Sequence, residues 1–270
     1  MAKRKLALAA LVTVLGYALV AVLAHCNLLA SNWNVAVGAS YESPSIQQWF
    51  GTDIFGRSVV AKVIKSTEVA MNVGFVVSII AITIGVALGA VAGYFGGIID
   101  ELIVWLYSTL ASIPNIMLLI TLTFILGKGI LAVYIALGMT NWVELCRLIR
   151  GEVIRHKDRE YIQAATAIGA GNARKLVVHI LPNIIHIVII KFSAIFQIAI
   201  KSEVILSYLG LGVQNSPSWG IMINDAKVEL MRGVWWQLTF ATVAMFLLVL
   251  AFNILSDALR DALDPKLRGK

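Results

Sequence analysis

The sequence predicts an all-α, polytopic membrane protein with about six transmembrane helices. Of its 270 residues, 59% are hydrophobic and only 14% are charged, whereas soluble globular domains carry about 25% charged residues. The apolar residues fall in separate runs that can cross about 30 Å of hydrocarbon at about 1.5 Å per residue. Because backbone groups in lipid must be satisfied within a helix or a closed barrel, these runs cannot form an open sheet.

Six apolar runs account for the spans: residues 6–24, 73–94, 102–126, 130–145, 187–209 and 238–255. The first is interpreted as a transmembrane helix and not as a signal peptide, because it exceeds the apolar stretch of about 7 to 15 residues found in signal peptides. The second carries Gly85, Gly89 and Gly93. Small residues at this four-residue spacing predict close packing against another helix.

The runs divide the chain into three parts. Residues 1–72 are predicted to form an N-terminal transmembrane helix and an external loop from Asn27 to Asn72, residues 73–260 the transmembrane core, and residues 261–270 a cytoplasmic tail. In the external loop, Thr52 and Asp53 are residue types that cap helices. Short capped helices are therefore favoured over a binding site in this loop.

The distribution of Lys and Arg indicates that both termini are cytoplasmic. With six spans, fourteen of these residues fall on the side of the termini and six on the other side, and basic residues that flank spans are retained in the cytoplasm. Topology thus explains the formal net charge of +7. No basic patch with interleaved aromatic residues indicates a nucleic-acid partner.

A polar, helix-forming island interrupts the apolar sequence at 151–186, with the core EYIQAATAIGAGNARKLVVHILPN at 160–183. Its small residues leave a helix face flat enough for a groove on another protein, and the glycine lets the chain turn sharply. The candidate contact residues are Gln163, Ala164, Ala165, Gly169, Leu181 and Pro182. Pro182 is expected to break the helix between His179 and His186.

Polar residues inside the spans are candidates for the wall of a pore. The segment 112–115 predicts a kink at Pro114, and Asn115 either lines a water-filled path or bonds to a neighbouring helix. In the fifth span, Lys201 and Glu203 mark a conduit, unless both lie near enough to the outer interface to reach water. Positions two apart do not face each other on a helix, so no ion pair between these two is assumed.

The sequence predicts no catalytic residues and no metal site. It has no G-x-x-x-x-G-K-[ST] phosphate loop, no H-E-x-x-H pair and no G-x-S-x-G elbow, and its 4 His and 2 Cys do not have metal-ligand spacing. A secondary transporter or channel would explain six spans with intramembrane charge. It would not explain the polar island.

Four blocks of sequence carry a resemblance to a known family. They are Gly51-Thr52-Asp53-x-x-Gly56-Arg57, the island ending at Asn183, residues 206–212 with Ser218-Trp219-Gly220, and residues 257–265. In order and spacing they resemble the permease subunits of binding-protein-dependent ABC importers, specifically the peptide and nickel branch. In that family the island is the EAA loop, whose coupling helices seat in a cleft of the ATPase. Gln163 stands at the family's Glu position, and His179 stands at its Ile position.

The resemblance implies a type I ABC importer permease fold and a pore-forming subunit that moves cargo by alternating access. It also implies that this chain binds no cofactor, since ATP and Mg are held by two partner ABC ATPase subunits. Further implied partners are a second, homologous permease subunit in a heterodimer, an extracytoplasmic substrate-binding protein and the lipid bilayer of a bacterial inner membrane. Di- and oligopeptides are the favoured cargo, and nickel or another small solute is the alternative.

Overall fold

The protein is built of α-helices, as the sequence predicts. The computed structural model describes residues 2–263, with side chains from residue 5 onward. In chain order the elements are α1 (Ala2–His25), α2 (Val59–Phe95), α3 (Gly97–Ala111), α4 (Asn115–Leu126), α5 (Ile130–Thr140), α6 (Val143–Lys157), α7 (Glu160–Ala167), α8 (Asn172–Arg174), a π-helical turn (Lys175–Ile180), α9 (Leu181–Tyr208), α10 (Trp219–Leu230) and α11 (Trp236–Leu263). The 257–265 block is described as far as Leu263. Lys266, Arg268 and Lys270 lie outside the described residues, as do the side chains of Lys3 and Arg4.

The prediction of about six transmembrane helices is confirmed. Within residues 2–263, five helical stretches are long and apolar enough to cross a membrane, and the pair α3 and α4 makes a sixth span if it is counted as one. The kink predicted at Pro114 is confirmed, and it is large, because α3 and α4 meet at a bend of 93°. Pro114 has no N–H to donate and keeps the preceding residue out of helical geometry, so the helix stops and restarts.

The second span is much longer than the hydropathy of the sequence indicates. α2 begins at Val59, 14 residues before the predicted start at Val73, and the side chain of Ser58 caps it by accepting a hydrogen bond from the N–H of Ala61. The loop that the sequence predicts to be external therefore ends at Ser58 and not at Asn72. Its described residues contain no helix, so the expected capped helices are absent, and α2 crosses the predicted boundary between residues 72 and 73.

α2 lies at the centre of the molecule, and its glycines fit against α6. A Cβ atom on Gly85, Gly89 or Gly93 would lie 2.9, 2.6 and 2.6 Å from the backbone oxygens of Trp142, Cys146 and Arg150, respectively. Two helices can approach this closely only where one of them lacks side chains. The predicted packing role of the glycine stripe is confirmed. Because the paired numbers rise together, α2 and α6 run in the same direction.

Buried polar side chains join the first turns of α2 to the loop before it and to α10 and α11. Lys62, 3% exposed, donates to Oδ2 of Asp53 at 3.0 Å and to Oε1 of Gln237 at 2.8 Å. Gln237 donates in turn to Glu229 at 3.0 Å. Asp53 also accepts from the Nε of Arg57 at 2.8 Å. These bonds explain how helix α2 can begin in a polar segment, since each buried charge has a partner.

The two carboxyl groups of this network differ in their pKa. Burial alone would raise the pKa of Asp53, but the ammonium of Lys62 and the backbone N–H of Arg57 lower it below its ordinary value of 3.8. Burial raises the pKa of Glu229 above its ordinary value of 4.5, although Lys62 opposes this rise. The network therefore combines one stabilised carboxylate with one carboxyl group that resists ionisation.

The raised pKa of Glu229 makes a stability prediction with a defined sign. A carboxyl group whose pKa is higher in the folded state contributes stability below its unfolded pKa, and that contribution is lost as the pH rises through its folded pKa. Glu229→Gln, which cannot ionise, should therefore be more thermostable than the parent protein at pH 8 and similar to it at pH 4. Unfolding temperatures measured in detergent across this range test the expectation, and parallel curves for the two proteins would contradict it.

The helix at the end of the polar island does not break at Pro182. The backbone stays helical from Asn172 to Tyr208 and passes through the π-helical turn Lys175–Ile180 just before the proline. A π-turn widens the hydrogen-bonding ring by one residue, which accommodates the missing N–H and the bulk of the proline ring. The expected helix break between His179 and His186 is therefore wrong.

Candidate functional site: the polar island and a cavity in the membrane core

The polar island folds as a short helix, a tight turn and the start of a long helix. α7 ends in a turn in which Gly169 donates to the carbonyl of Thr166 at 3.0 Å and Ala170 donates to that of Ala165 at 2.9 Å. Gly169 has φ +85°. This is the Schellman arrangement, which needs a residue in the left-handed region and favours glycine. The sharp turn expected at Gly169 is confirmed.

The tip of the island exposes an apolar side chain. Ile168, between α7 and Gly169, is 85% exposed, and a Cβ on Gly169 would meet no atom within 4 Å. Val177 and Val178, in the π-helical turn, are also largely exposed. Exposed apolar side chains that form a patch rimmed by polar residues mark sites of interaction with proteins or membranes. We call Ile168, Val177 and Val178, together with the exposed residues of α7, the island surface.

The predicted contact residues take different positions on the island. Gln163 and Ala164 are exposed, and the Nε2 of Gln163 donates to the carbonyl of Asp158 at 3.2 Å. Ala165 is buried and therefore lies on the side of α7 that packs against the rest of the protein. Leu181 is half-buried and Pro182 is exposed at the start of α9. Ile168 was missed because no motif contains it, although an apolar residue in a polar segment was a usable signal.

The island is tied to the end of α2 that is distant from Asp53. The hydroxyl of Tyr94 donates to Oδ1 of Asn172 at 3.0 Å, which fixes the start of the long helix to α2. Arg150 of α6 also makes two hydrogen bonds to Asp100 of α3, at 2.5 and 2.6 Å. These bonds link the start of the long helix to α2, and link α6 to α3.

A cavity of about 510 Å³ opens at the bend between α3 and α4. Residues 110–115 form one wall, and residues of α6 and α9 form the other. Asn115 lies on this wall, and within the described residues its side chain makes no hydrogen bond to another helix. Bent, non-helical backbone at membrane depth is tolerated where it borders protein or a water-filled space. The geometry is compatible with Asn115 lining a path.

The cavity wall also holds an ion pair that the sequence did not single out. Nζ of Lys191 in α9 donates to Oε1 of Glu144 in α6, and both side chains line the cavity. Among the described residues that line the cavity, they are the only two with charged side chains. Each charge interrupts an apolar run, which was a usable signal. Their pairing was not visible, because 47 positions separate them.

Lys201 and Glu203 do not line this cavity. Lys201 is exposed, whereas Glu203 is 1% exposed and accepts a hydrogen bond from Oγ of Ser207 at 2.6 Å. Next to this bond, a Cβ on Gly212 would lie 1.8 Å from the Ser207 hydroxyl, and one on Gly220 would lie 2.6 Å from its Cβ. The carboxyl group is thus enclosed where the chain folds back from α9 to α10.

The described residues contain no group of three or more His, Cys, Asp or Glu side chains placed to hold a metal ion. Cys26 is exposed and Cys146 is buried against α2, and both are free thiols. The candidate site thus consists of the exposed island surface and of the cavity at the bend between α3 and α4.

One protein family and several known transport proteins are similar to this chain. The family described as "Binding-protein-dependent transport system inner membrane component" matches residues 85–269. The chain is 38% identical over 226 residues to the dipeptide transport system permease protein DppC of Bacillus subtilis, which covers 83% of this chain and 71% of that protein. It is 35% identical over 268 residues to DppC of Alkalihalophilus pseudofirmus, covering 99% and 88%. The oligopeptide transport system permease protein OppC of Bacillus subtilis is 35% identical over 226 residues, covering 83% and 74%.

Proposed function

Because the chain belongs to the family of inner membrane components of binding-protein-dependent transport systems, we propose that it is the pore-forming permease subunit of an ATP-driven importer of di- and oligopeptides. The names of the dipeptide and oligopeptide permeases to which it is similar support this cargo class. The chain is a multi-pass membrane protein whose sequence contains no phosphate loop, so ATP hydrolysis has to be carried out by another subunit.

The exposed Ile168 is the observation that best supports docking of an ATPase on the island surface. Binding sites between proteins derive most of their free energy from a few residues that become fully desolvated. Ile168 projects from a Schellman turn that fixes its backbone, with the small residues Ala164 and Gly169 beside it. Gln163 is exposed on the same helix and offers a neutral amide where the family has a carboxylate.

The complex that we propose has two ATPase subunits, which hold ATP and Mg, and a second, homologous permease subunit in a heterodimer. An extracytoplasmic binding protein delivers the cargo from the opposite side of a bacterial inner membrane. The basic residues of the island support placing the island and both termini in the cytoplasm. The face of the cavity that this chain leaves open would then be closed by the second permease.

A continuous helix connects the island to the cavity, and this helix is the proposed route by which movement of the ATPase subunits changes the cavity. Residues Asn172–Tyr208 form 37 residues of helix, about 55 Å long at about 1.5 Å per residue. Lys191, in the cavity wall, belongs to the same helix as Asn172, which bonds to α2. A displacement of the island by closing ATPases would therefore tilt one wall of the cavity, provided that nucleotide distinguishes two states of the complex.

Ile168→Asp tests the docking surface. Loss of a central apolar anchor costs about 2 kcal/mol or more, which corresponds to a roughly 30-fold weaker association. The variant should therefore lose co-purifying ATPase subunits, identified by mass spectrometry through their phosphate-loop peptides, while its thermal unfolding temperature stays unchanged. ATP-driven uptake of labelled dipeptide into cells should fall in parallel.

Met231→Asp is the matched control, because Met231 is 82% exposed in the segment between α10 and α11, away from the island. It adds the same charge to an equally open apolar position and should retain the ATPase subunits. If Ile168→Asp retained them as well, the proposed docking surface would be wrong.

A further inference from the structure

The ion pair in the cavity wall presents one positive and one negative group to the same space. Glu144 lies one residue before the end of the apolar run 130–145, and Lys191 lies four residues after the start of the run 187–209. Both charges are therefore inside predicted spans, at the ends that adjoin the polar island. Charged residues within a span rarely face lipid and instead face a protein interior or a water-filled path.

Neither charged group is saturated by its partner. The side chain of Glu144 is 70% exposed and that of Lys191 is 20% exposed, so the pair faces the open cavity and is not enclosed between helices. Within the described residues, Nζ of Lys191 has one protein acceptor although an ammonium carries three donors. Two donors and one carboxylate oxygen remain available to a molecule in the cavity.

We infer that Glu144 and Lys191 form a subsite for the free termini of a peptide, in which Lys191 binds the α-carboxylate and Glu144 binds the α-ammonium of the cargo. This inference rests on the proposed function and assigns specificity to the cavity itself. Separating Glu144 from Lys191 leaves each group without its opposite charge, and a zwitterion restores one opposite charge to each. A cargo that has only one of the two charges restores only one.

The size and the polarity of the cavity suit such a cargo. Its volume of about 510 Å³ falls within the roughly 300 to 1,000 Å³ of small-molecule sites. The amides of Asn115 and Asn141 also line it. The amide of Asn115 can bond to a peptide group, whereas the Nδ2 of Asn141 already donates to the carbonyl of Leu137 at 2.7 Å. When the cargo binds, the ion pair between Glu144 and Lys191 is replaced by two equivalent ion pairs with the termini of the cargo, so the net binding free energy is small. Weak binding suits transport, because a cargo must leave the path as readily as it enters.

The test is a double-mutant cycle between the transporter and its cargo. Uptake of a free dipeptide and of its C-terminal amide is measured in cells expressing the complete transporter with either the parent chain or Lys191→Gln. The same binding protein delivers both cargoes to both permeases, so its own preference cancels in the ratio. Groups in direct contact show coupling of roughly 2-fold to 150-fold. We expect amidation to reduce uptake roughly tenfold with the parent chain and less than about threefold with Lys191→Gln.

Glu144→Gln with the N-acetylated dipeptide forms the companion cycle, and it gives the answer if Lys191→Gln does not accumulate in the membrane. Lys128→Gln, in the exposed loop between α4 and α5, is the control that should keep the full amidation penalty. Equal penalties in the parent chain and in both cavity variants would mean that the pair only links α6 to α9, and this would overturn the inference. Absence of ATP-dependent dipeptide uptake with the parent chain would instead overturn the proposed function.

Discussion

Gly89→Leu should prevent stable packing of α2 on α6, whereas the same substitution at Gly151 should be tolerated. A Cβ on Gly89 would lie 2.6 Å from the carbonyl oxygen of Cys146 and 3.0 Å from the Cβ of Ile149. The nearest atom belongs to helix backbone, so the clash cannot be relieved by a change of rotamer. Overpacking of this kind typically costs about 1 to 3 kcal/mol, and we expect the upper end or more.

Gly151 is the matched control, because it lies in α6 and a Cβ there would meet nothing within 4 Å. Leucine is a better helix former than glycine by roughly 0.5 to 1 kcal/mol, so Gly151→Leu should be neutral or slightly stabilising. Thermal unfolding in detergent, followed by size-exclusion chromatography, measures both variants. At roughly 2 to 4 °C per kcal/mol, Gly89→Leu should lose about 6 °C or more. Equal effects at the two positions would contradict the packing assignment.

The second large effect is expected at Lys62, where Lys62→Met should destabilise the protein by about 3 to 5 kcal/mol. Removal of one partner of a buried pair leaves the other charge uncompensated. The carboxylate of Asp53 is 1% exposed, and Lys62 is its partner at 3.0 Å. Arg57 still bonds to the same oxygen at 2.8 Å, which places the expected cost nearer the lower value.

The double variant Lys62→Met/Asp53→Asn identifies the cause of that loss. If the uncompensated charge is the main cost, neutralising Asp53 in addition should recover part of the stability, and the two substitutions should be non-additive by at least about 0.5 kcal/mol. Chemical and thermal unfolding of the two single variants, the double variant and the parent protein supply the cycle. Strictly additive losses would show that Lys62 acts through its packing alone.

Many features of the site could be predicted from the sequence because they are local. The turn at Gly169 depends on one residue that can adopt φ +85°, and the stripe on α2 depends on three glycines at helical spacing. The candidate Asn115 was found from the proline beside it. Ile168 could not be identified as a contact residue from the sequence. It is singled out by its exposed fraction of 85%, and exposure depends on which side chains the rest of the chain covers.

The errors in the predicted helix boundaries also arise because a sequence pattern does not show contacts between distant residues. Hydropathy placed the start of α2 at Val73 because Lys62, Lys65 and Glu68 were counted as charges in water. In the folded protein Lys62 is enclosed with Asp53 and Gln237, and Lys65 is 2.7 Å from Glu68. Likewise, Pro182 was expected to break a helix that continues through a π-turn. Local propensity was overridden in both cases by partners or by backbone geometry outside the window that the sequence pattern covers.

The sequence by itself determined that this is a polytopic membrane protein with about six spans and a polar island whose first helix, α7, carries small residues. These features depend on hydropathy and turn chemistry, which act over a few neighbouring residues. Only the tertiary structure decided the size of the bend between α3 and α4, which is 93°, the enclosure of Lys62 and the contact of Glu144 with Lys191 across 47 positions. Such features arise from the free energy of covering distant charges and backbone groups together, which depends on how the helices are arranged in space.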